Sequence, residues 1–218
     1  MDNLYGKKNK KVPITAPTAY EDKLYEAGFI HIAGMDEVGR GPLAGPVVAC
    51  AVVLPQGVVI SGVNDSKKLS AKKRALLAEE IKSKAIDYAL GWVDVETIEK
   101  INILKATCLA MEQAVQALSI PLDAVLVDGQ LPFSLQEQGI FCEYIKGGDA
   151  LSHSIAAASI VAKVERDNWM LKQHETYPSY GFDSHKGYGT PKHIEAIREH
   201  GICPLHRVSF LQKIFAEI

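Results

Sequence analysis

The chain has 218 residues, 47% of them hydrophobic, with 24 basic and 26 acidic side chains. That is enough apolar matter for one good-sized core, and the near balance of charge excludes a globally basic nucleic-acid binder, so any such surface must be local. Cys50, Cys108, Cys142 and Cys203 form no Cys-x-x-Cys pair and no Cys/His zinc spacing, and no segment has the length of a membrane span or an apolar leader, so a soluble cytoplasmic protein with no membrane partner is expected.

In chain order, residues 1–20 are polar, basic and proline-containing, which predicts a loose arm carrying Lys7, Lys8, Lys10 and Lys11. Glu21 to Gly28 predicts a short helix closed by glycine, and His31 to Asp36 a strand. The apolar run from Pro46 to Leu54, rich in valine, predicts a buried strand. Asn64-Asp65-Ser66 marks a loop, after which Ser70 caps a helix containing Leu76, Leu77 and Ile81. Alternation of Ile86, Tyr88, Leu90 and Trp92 predicts a third strand. Asp94 opens one long helix on the spacing of Ile101, Leu104, Cys108, Met111, Val115 and Leu118, ended by Pro121.

Ala124 to Val127 is a short strand finishing on Asp128-Gly129, and Ile140 to Ile145 is another, followed by Lys146-Gly147-Gly148-Asp149. Leu151 to about Glu175 predicts a helix whose small residues, Ala156 to Ser159, would let it lie close to a sheet. Two short helices follow, Pro191 to His200 and Phe210 to Glu217. Three strands in succession, then strands alternating with helices, imply a mixed sheet covered by helices, an α/β layer fold.

Chemistry-bearing residues gather at the ends of these elements. Asp36 and Glu37 are adjacent acids where a strand runs out, and an unpaired buried carboxylate is expensive, so a cation is the simplest compensation. Asp128 ends a second strand before a glycine, and Asp149 follows a Gly-Gly turn at a helix start. Singly, Asp128-Gly129 reads equally as a turn and Asp149 as a helix-start acid. Together the four offer oxygen-only ligands, the set suited to Mg²⁺ or Mn²⁺. Gly39-Arg40-Gly41 beside them supplies open amides and one guanidinium fork, which suit a phosphate or sugar hydroxyl. It is no dinucleotide fingerprint, because a valine-rich strand and not a helix follows it. A serine hydrolase lacks its Gly-x-Ser-x-Gly elbow.

Gly34-Met35-Asp36-Glu37-Val38-Gly39-Arg40-Gly41-Pro42-Leu43-Ala44-Gly45-Pro46-Val47 resembles the signature of bacterial ribonuclease HII. So do Asn64-Asp65-Ser66-Lys67-Lys68-Leu69, Leu126-Val127-Asp128-Gly129, the block from Ala156 to Asp167, and Tyr180-Gly181-Phe182 with His185 to Thr190. The blocks run in family order from about Ile32 to Thr190, and the sister type, ribonuclease HIII, is less similar because its glycine turn lacks the arginine.

The resemblance implies a ribonuclease H-like mixed five-stranded sheet flanked by helices. It divides the chain into an arm and short helix over 1–28, a catalytic core over 29–175 and a C-terminal helical extension over 176–218 packed on that core. It implies a metal-dependent endoribonuclease that hydrolyses the RNA strand of RNA–DNA hybrids and cuts at single ribonucleotides in duplex DNA. Two Mg²⁺ or Mn²⁺ ions are implied, held by Asp36, Glu37, Asp128 and Asp149, with Asp167 a nearby competitor for the fourth place. Gly39, Arg40 and Gly41 would read the ribose 2′-hydroxyl and adjacent phosphate, and Tyr188 would stack on the neighbouring nucleotide. Lys67 and Lys68 are phosphate contacts or a solvated loop. A monomer is expected. A non-catalytic hybrid-binding module and a small-molecule phosphohydrolase are the competing readings.

Overall fold

The computed structural model describes residues 14–130, 135 and 138–212. The N-terminal lysine cluster and most of the expected Phe210–Glu217 helix lie outside the described residues. The elements are α1 (Ala19–Glu26), β1 (Ile32–Val38), β2 (Val47–Val53), α2 (Ala71–Lys84), β3 (Asp87–Val93), α3 (Val95–Ile101), α4 (Ile103–Gln116), β4 (Ala124–Asp128), β5 (Phe141–Ile145), α5 (Gly148–Leu151), α6 (His153–Thr176), α7 (Phe182–His185) and α8 (Pro191–His200). The five strands form one mixed sheet in the order β3-β2-β1-β4-β5. β1 pairs antiparallel with β2 and parallel with β4, so the strand carrying both adjacent acids is the central one.

Helices cover both faces. Ala33, Met35, Val47, Ala49, Ala51, Val125 and Val127 pack with α4 on one face. Cys50 and Val52 pack with α2 and α6 on the other. Because side chains alternate along a strand, β2 buries all seven of its residues, which is why it reads as an unbroken apolar run. The small-residue stretch of α6 is fully enclosed, and the helix lies so close to β1 that a Cβ at Gly34 would stand 2.0 Å from the Ser154 carbonyl carbon. Cys50 and Cys108 are buried free thiols, as their apolar settings predict. No described helix is long and apolar enough to cross a membrane.

Two expectations need correction. The helix expected from Asp94 to Pro121 is two helices, broken at Asn102, whose φ is 69°. Its side-chain oxygen accepts from the amides of Leu104 and Lys105 at 3.0 and 3.1 Å. That cap offsets a backbone conformation that non-glycine residues rarely adopt. The arm is not loose over its described part: the Ala16 amide donates to Val63 O at 2.8 Å, Ala16 is buried, and α1 begins at Ala19. In β3 the better-buried face is Ala89, Gly91 and Val93, not the larger residues whose alternation announces the strand. Small side chains there admit α4 closely.

After α6, a 3₁₀ turn (Pro178–Tyr180), α7, α8 and a second 3₁₀ turn (Val208–Phe210) build the C-terminal extension. It shares a hydrophobic cluster with the β1–β2 connection and α6: Tyr180, Phe182, Ile197, Cys203 and Leu211 surround Ala44 and Met170. Backbone bonds seal the contact, from Leu43 N to Gly187 O, Gly45 N to Leu205 O and Arg207 N to Leu43 O, each 2.8 Å.

Candidate active site

Strand parity separates the two adjacent acids. Asp36 shares the α6 face of β1 with Gly34, whereas Glu37 lies on the α4 face with Ala33 and Met35. The partners of Asp36 are therefore not those of Glu37. The Ser159 hydroxyl on α6 hydrogen-bonds Asp36, and the Glu37 amide donates to Asp36 Oδ1 at 2.7 Å. Ser159 in turn shares a 2.9 Å hydrogen bond with Ser66. Burial, then the neighbouring charges of Glu37 and Asp128, push the Asp36 carboxyl well above its ordinary range despite those bonds. Glu37 Oε1 accepts from Arg40 at 3.2 Å, yet burial still raises its pKa.

Asp128 closes β4 beside them, and its Oδ1 accepts from the Gly148 amide at 2.6 Å. That bond ties the end of β4 to the start of α5, where Asp149 follows. Asp149 is raised by burial and by Asp128, partly offset by Lys67, whose Nζ is 3.5 Å from Asp149 Oδ2. Burial alone would lower Lys67, but Asp149, Asp36 and Asp65 together hold its pKa up.

Asp36, Glu37, Gly39, Arg40, Gly41, Ser66, Lys67, Asp128, Ser159, Lys163 and Tyr188 line one cleft of about 230 Å³. Asp36, Glu37, Asp128 and the glycine turn thus face the same space, whereas Asp149 is not among the lining residues and reaches the cleft only through its pair with Lys67. Tyr188 is 40% exposed, and Lys163 Nζ lies 5.5 Å from its ring centroid. Lys68 pairs with Asp65 at 3.5 Å and does not line the cleft. Asp167 accepts from Lys163 at 2.8 Å, lies 3.9 Å from Arg74, and lines a separate hollow.

Among the described residues, no three His, Cys, Asp or Glu side chains are drawn close enough to hold an ion as they stand. Arg40 and Lys67 hold the outer acids, and backbone amides hold Asp36 and Asp128. The donor set nonetheless fits a hard divalent cation. It is all oxygen, and the mutual repulsion that raises Asp36 is what a cation would relieve.

Two residues of this region, Arg166 and Arg207, have no role that the sequence assigns. Both are fully buried, and both donate to carbonyls of the β1–β2 connection. Arg166 lies inside the Ala156–Asp167 block, which gave a signal. Arg207 lies past it, among residues with no readable period.

The family model for ribonuclease HII matches residues 33–213. A ribonuclease HII from Endomicrobium trichonymphae is 53% identical over 192 residues, 88% of this chain and 90% of the relative. Among solved structures, ribonuclease H2 from Pyrococcus horikoshii superposes with a TM-score of 0.71 at 24% identity, covering 86% of this chain and 98% of that one. A Bst ribonuclease HIII in complex with Mn²⁺ matches with a TM-score of 0.63 at 19% identity, over 86% of this chain and 70% of that one. These likenesses to solved structures show a shared fold.

Proposed function

Because the chain belongs to the ribonuclease HII family, metal-dependent enzymes acting on the RNA strand of RNA–DNA hybrids, we propose that it also cuts at single ribonucleotides embedded in duplex DNA. The products would be a 5′-phosphate and a 3′-hydroxyl. The observation that carries this reading is the single cleft in which an acid cluster and the Gly39-Arg40-Gly41 turn face one another, with Tyr188 at the side.

Asp36, Glu37, Asp128 and Asp149 would hold two ions, Mg²⁺ or Mn²⁺. Such ions, when bound, supply water activation and stabilisation of the leaving oxygen. The acids' own contribution is to fix that charge at the strand ends, against which a phosphodiester can be drawn. Arg40 and the flanking glycine backbone would engage the 2′-hydroxyl and adjacent phosphate, the group that separates RNA from DNA. The half-exposed ring of Tyr188 offers a face for a nucleotide base or sugar. Lys67 adds positive charge beside Asp149.

A non-catalytic binder of the same fold is disfavoured, since clustered carboxylates facing phosphate would only weaken binding. The test is cleavage of two labelled substrates, a duplex with one ribonucleotide and a long hybrid, with and without EDTA. Asp128→Asn is expected to lose cleavage of both by about a thousandfold while still binding duplex. Near-normal turnover by that variant, or by wild type in EDTA, would overturn the reading.

A further inference from the structure

The connection from β1 to β2 is held from beneath by two guanidinium groups. Arg207 donates to Gly39 O at 2.6 Å, Arg40 O at 3.1 Å, Pro42 O at 3.0 Å and Gly45 O at 2.9 and 2.6 Å. Arg166 donates to Pro46 O at 2.9 Å, Ala44 O at 3.1 Å and Lys186 O at 3.0 Å. Six carbonyls in eight residues of the connection are thereby turned inward. Neither guanidinium makes an ion pair within 4.0 Å among the described residues, and both are 0% exposed. The fit is close: Gly39 has a φ of +97°, and a Cβ there would stand 2.5 Å from Arg166 Nε.

A buried cation without a carboxylate is costly unless its donors are met. Here the donors are met by carbonyls, and an apolar side chain in place of either arginine would leave those carbonyls unpaired, each at a cost. What an apolar side chain cannot do is fix the direction of six peptide dipoles. With their carbonyl ends drawn inward, the peptide groups at 39–41 present their positive ends to the cleft, toward an anion or hydroxyl oxygen.

We propose that Arg207, with Arg166 beside it, is a positioning residue for ribose recognition: from the C-terminal extension it sets the backbone of Gly39-Arg40-Gly41, and so sets discrimination between a ribonucleotide and a deoxyribonucleotide. This rests on the reading of that turn as the 2′-hydroxyl reader. Arg166 also fastens Lys186 O, so the two arginines set the distance between the turn and the Tyr188 segment.

The test measures, in Ca²⁺, the ratio of affinities for a duplex with one ribonucleotide and for the same duplex in DNA alone, for Arg207→Lys, Arg166→Lys and Arg40→Ala. A lysine keeps the charge but lacks the planar fork that reaches several carbonyls. The lysine variants are expected to lower the ratio about tenfold and to raise KM more than they lower kcat, with Mn²⁺ affinity by calorimetry unchanged. If Arg40→Ala lowers the ratio and both folded lysine variants keep it, while losing only melting temperature, the positioning role is overturned. If Arg40→Ala itself keeps the ratio, the reading of the turn fails first. Should Arg207→Lys not fold, Arg166→Lys alone decides.

Discussion

The two halves of the cleft handle buried charge in opposite ways. On the acid half, Asp36, Glu37 and Asp149 are each raised by burial and by the charge of Asp128, and among the described residues no cation lies within 4.0 Å of Asp36. On the recognition half, Arg166 and Arg207 are buried just as deeply, yet carbonyl oxygens meet their donors. One half is left in electrostatic conflict, which suits a site completed by a cation. The other is satisfied within itself, which suits a template that must keep its shape.

That contrast breaks most visibly on activity. Asp149→Asn is expected to lower cleavage about a thousandfold, as loss of a charged group at the reacting centre does. Asp167→Asn should leave it near wild type, because Asp167 serves Lys163 and Arg74 instead. Equal losses in a steady-state assay would place the fourth acid elsewhere.

The next effect lies behind the recognition half, where three buried histidines pack together. His193 Nε2 is 3.1 Å from His206 Nε2, and His185 stacks on His193 with ring centroids 4.4 Å apart. Burial lowers all three, and it takes His193 from 6.5 to about 4. With a depressed pKa in the folded state, the unfolded chain binds more protons between those values. Stability is therefore full above about pH 6.5 and is lost as pH falls toward 4, His193 alone contributing on the order of 3 kcal/mol. Urea midpoints measured at pH 7 and pH 5 should show the fall, and His193→Gln should flatten it. An equally steep profile in that variant would remove the histidine from the account.

The smallest effect is also the sharpest test of the contrast. Asp36→Asn, measured in EDTA, should raise the unfolding free energy by about 1 kcal/mol, because it removes a like-charge conflict while the amide oxygen keeps the Glu37 hydrogen bond. A lower urea midpoint for Asp36→Asn would mean that the acid half is not in conflict.

The difference between the halves also decides what could be read from the sequence. Val47–Val53 announces a doubly buried strand, and the acids stand where strands end, so the sheet and three of its carboxylates are legible from pattern alone. Asp149 is set apart from Asp167 by position: it stands at a helix start beside the sheet, whereas Asp167 lies several turns along α6. The opposite facing of Asp36 and Glu37 follows from strand parity, but their partners across the cleft depend on the register of β4 and the depth of α6. Arg207 was illegible, because an arginine satisfied by carbonyls has no charged partner in the sequence and looks like any surface arginine. Asn102 hid for a related reason: the apolar spacing runs across it unbroken, and only the backbone shows the break.

The bond from Arg207 to Gly39 O spans 168 residues. Contacts so distant in sequence are won late, after much of the chain has already lost its freedom. The carboxylate ends of β1 and β4 need only the sheet, whereas the turn that follows β1 takes its final form when a segment from the far side of the fold has docked. In hydrogen-exchange terms, the amides of the turn should open together with those around Arg207, and a nick between α8 and that residue would leave a nuclease centre without its guide.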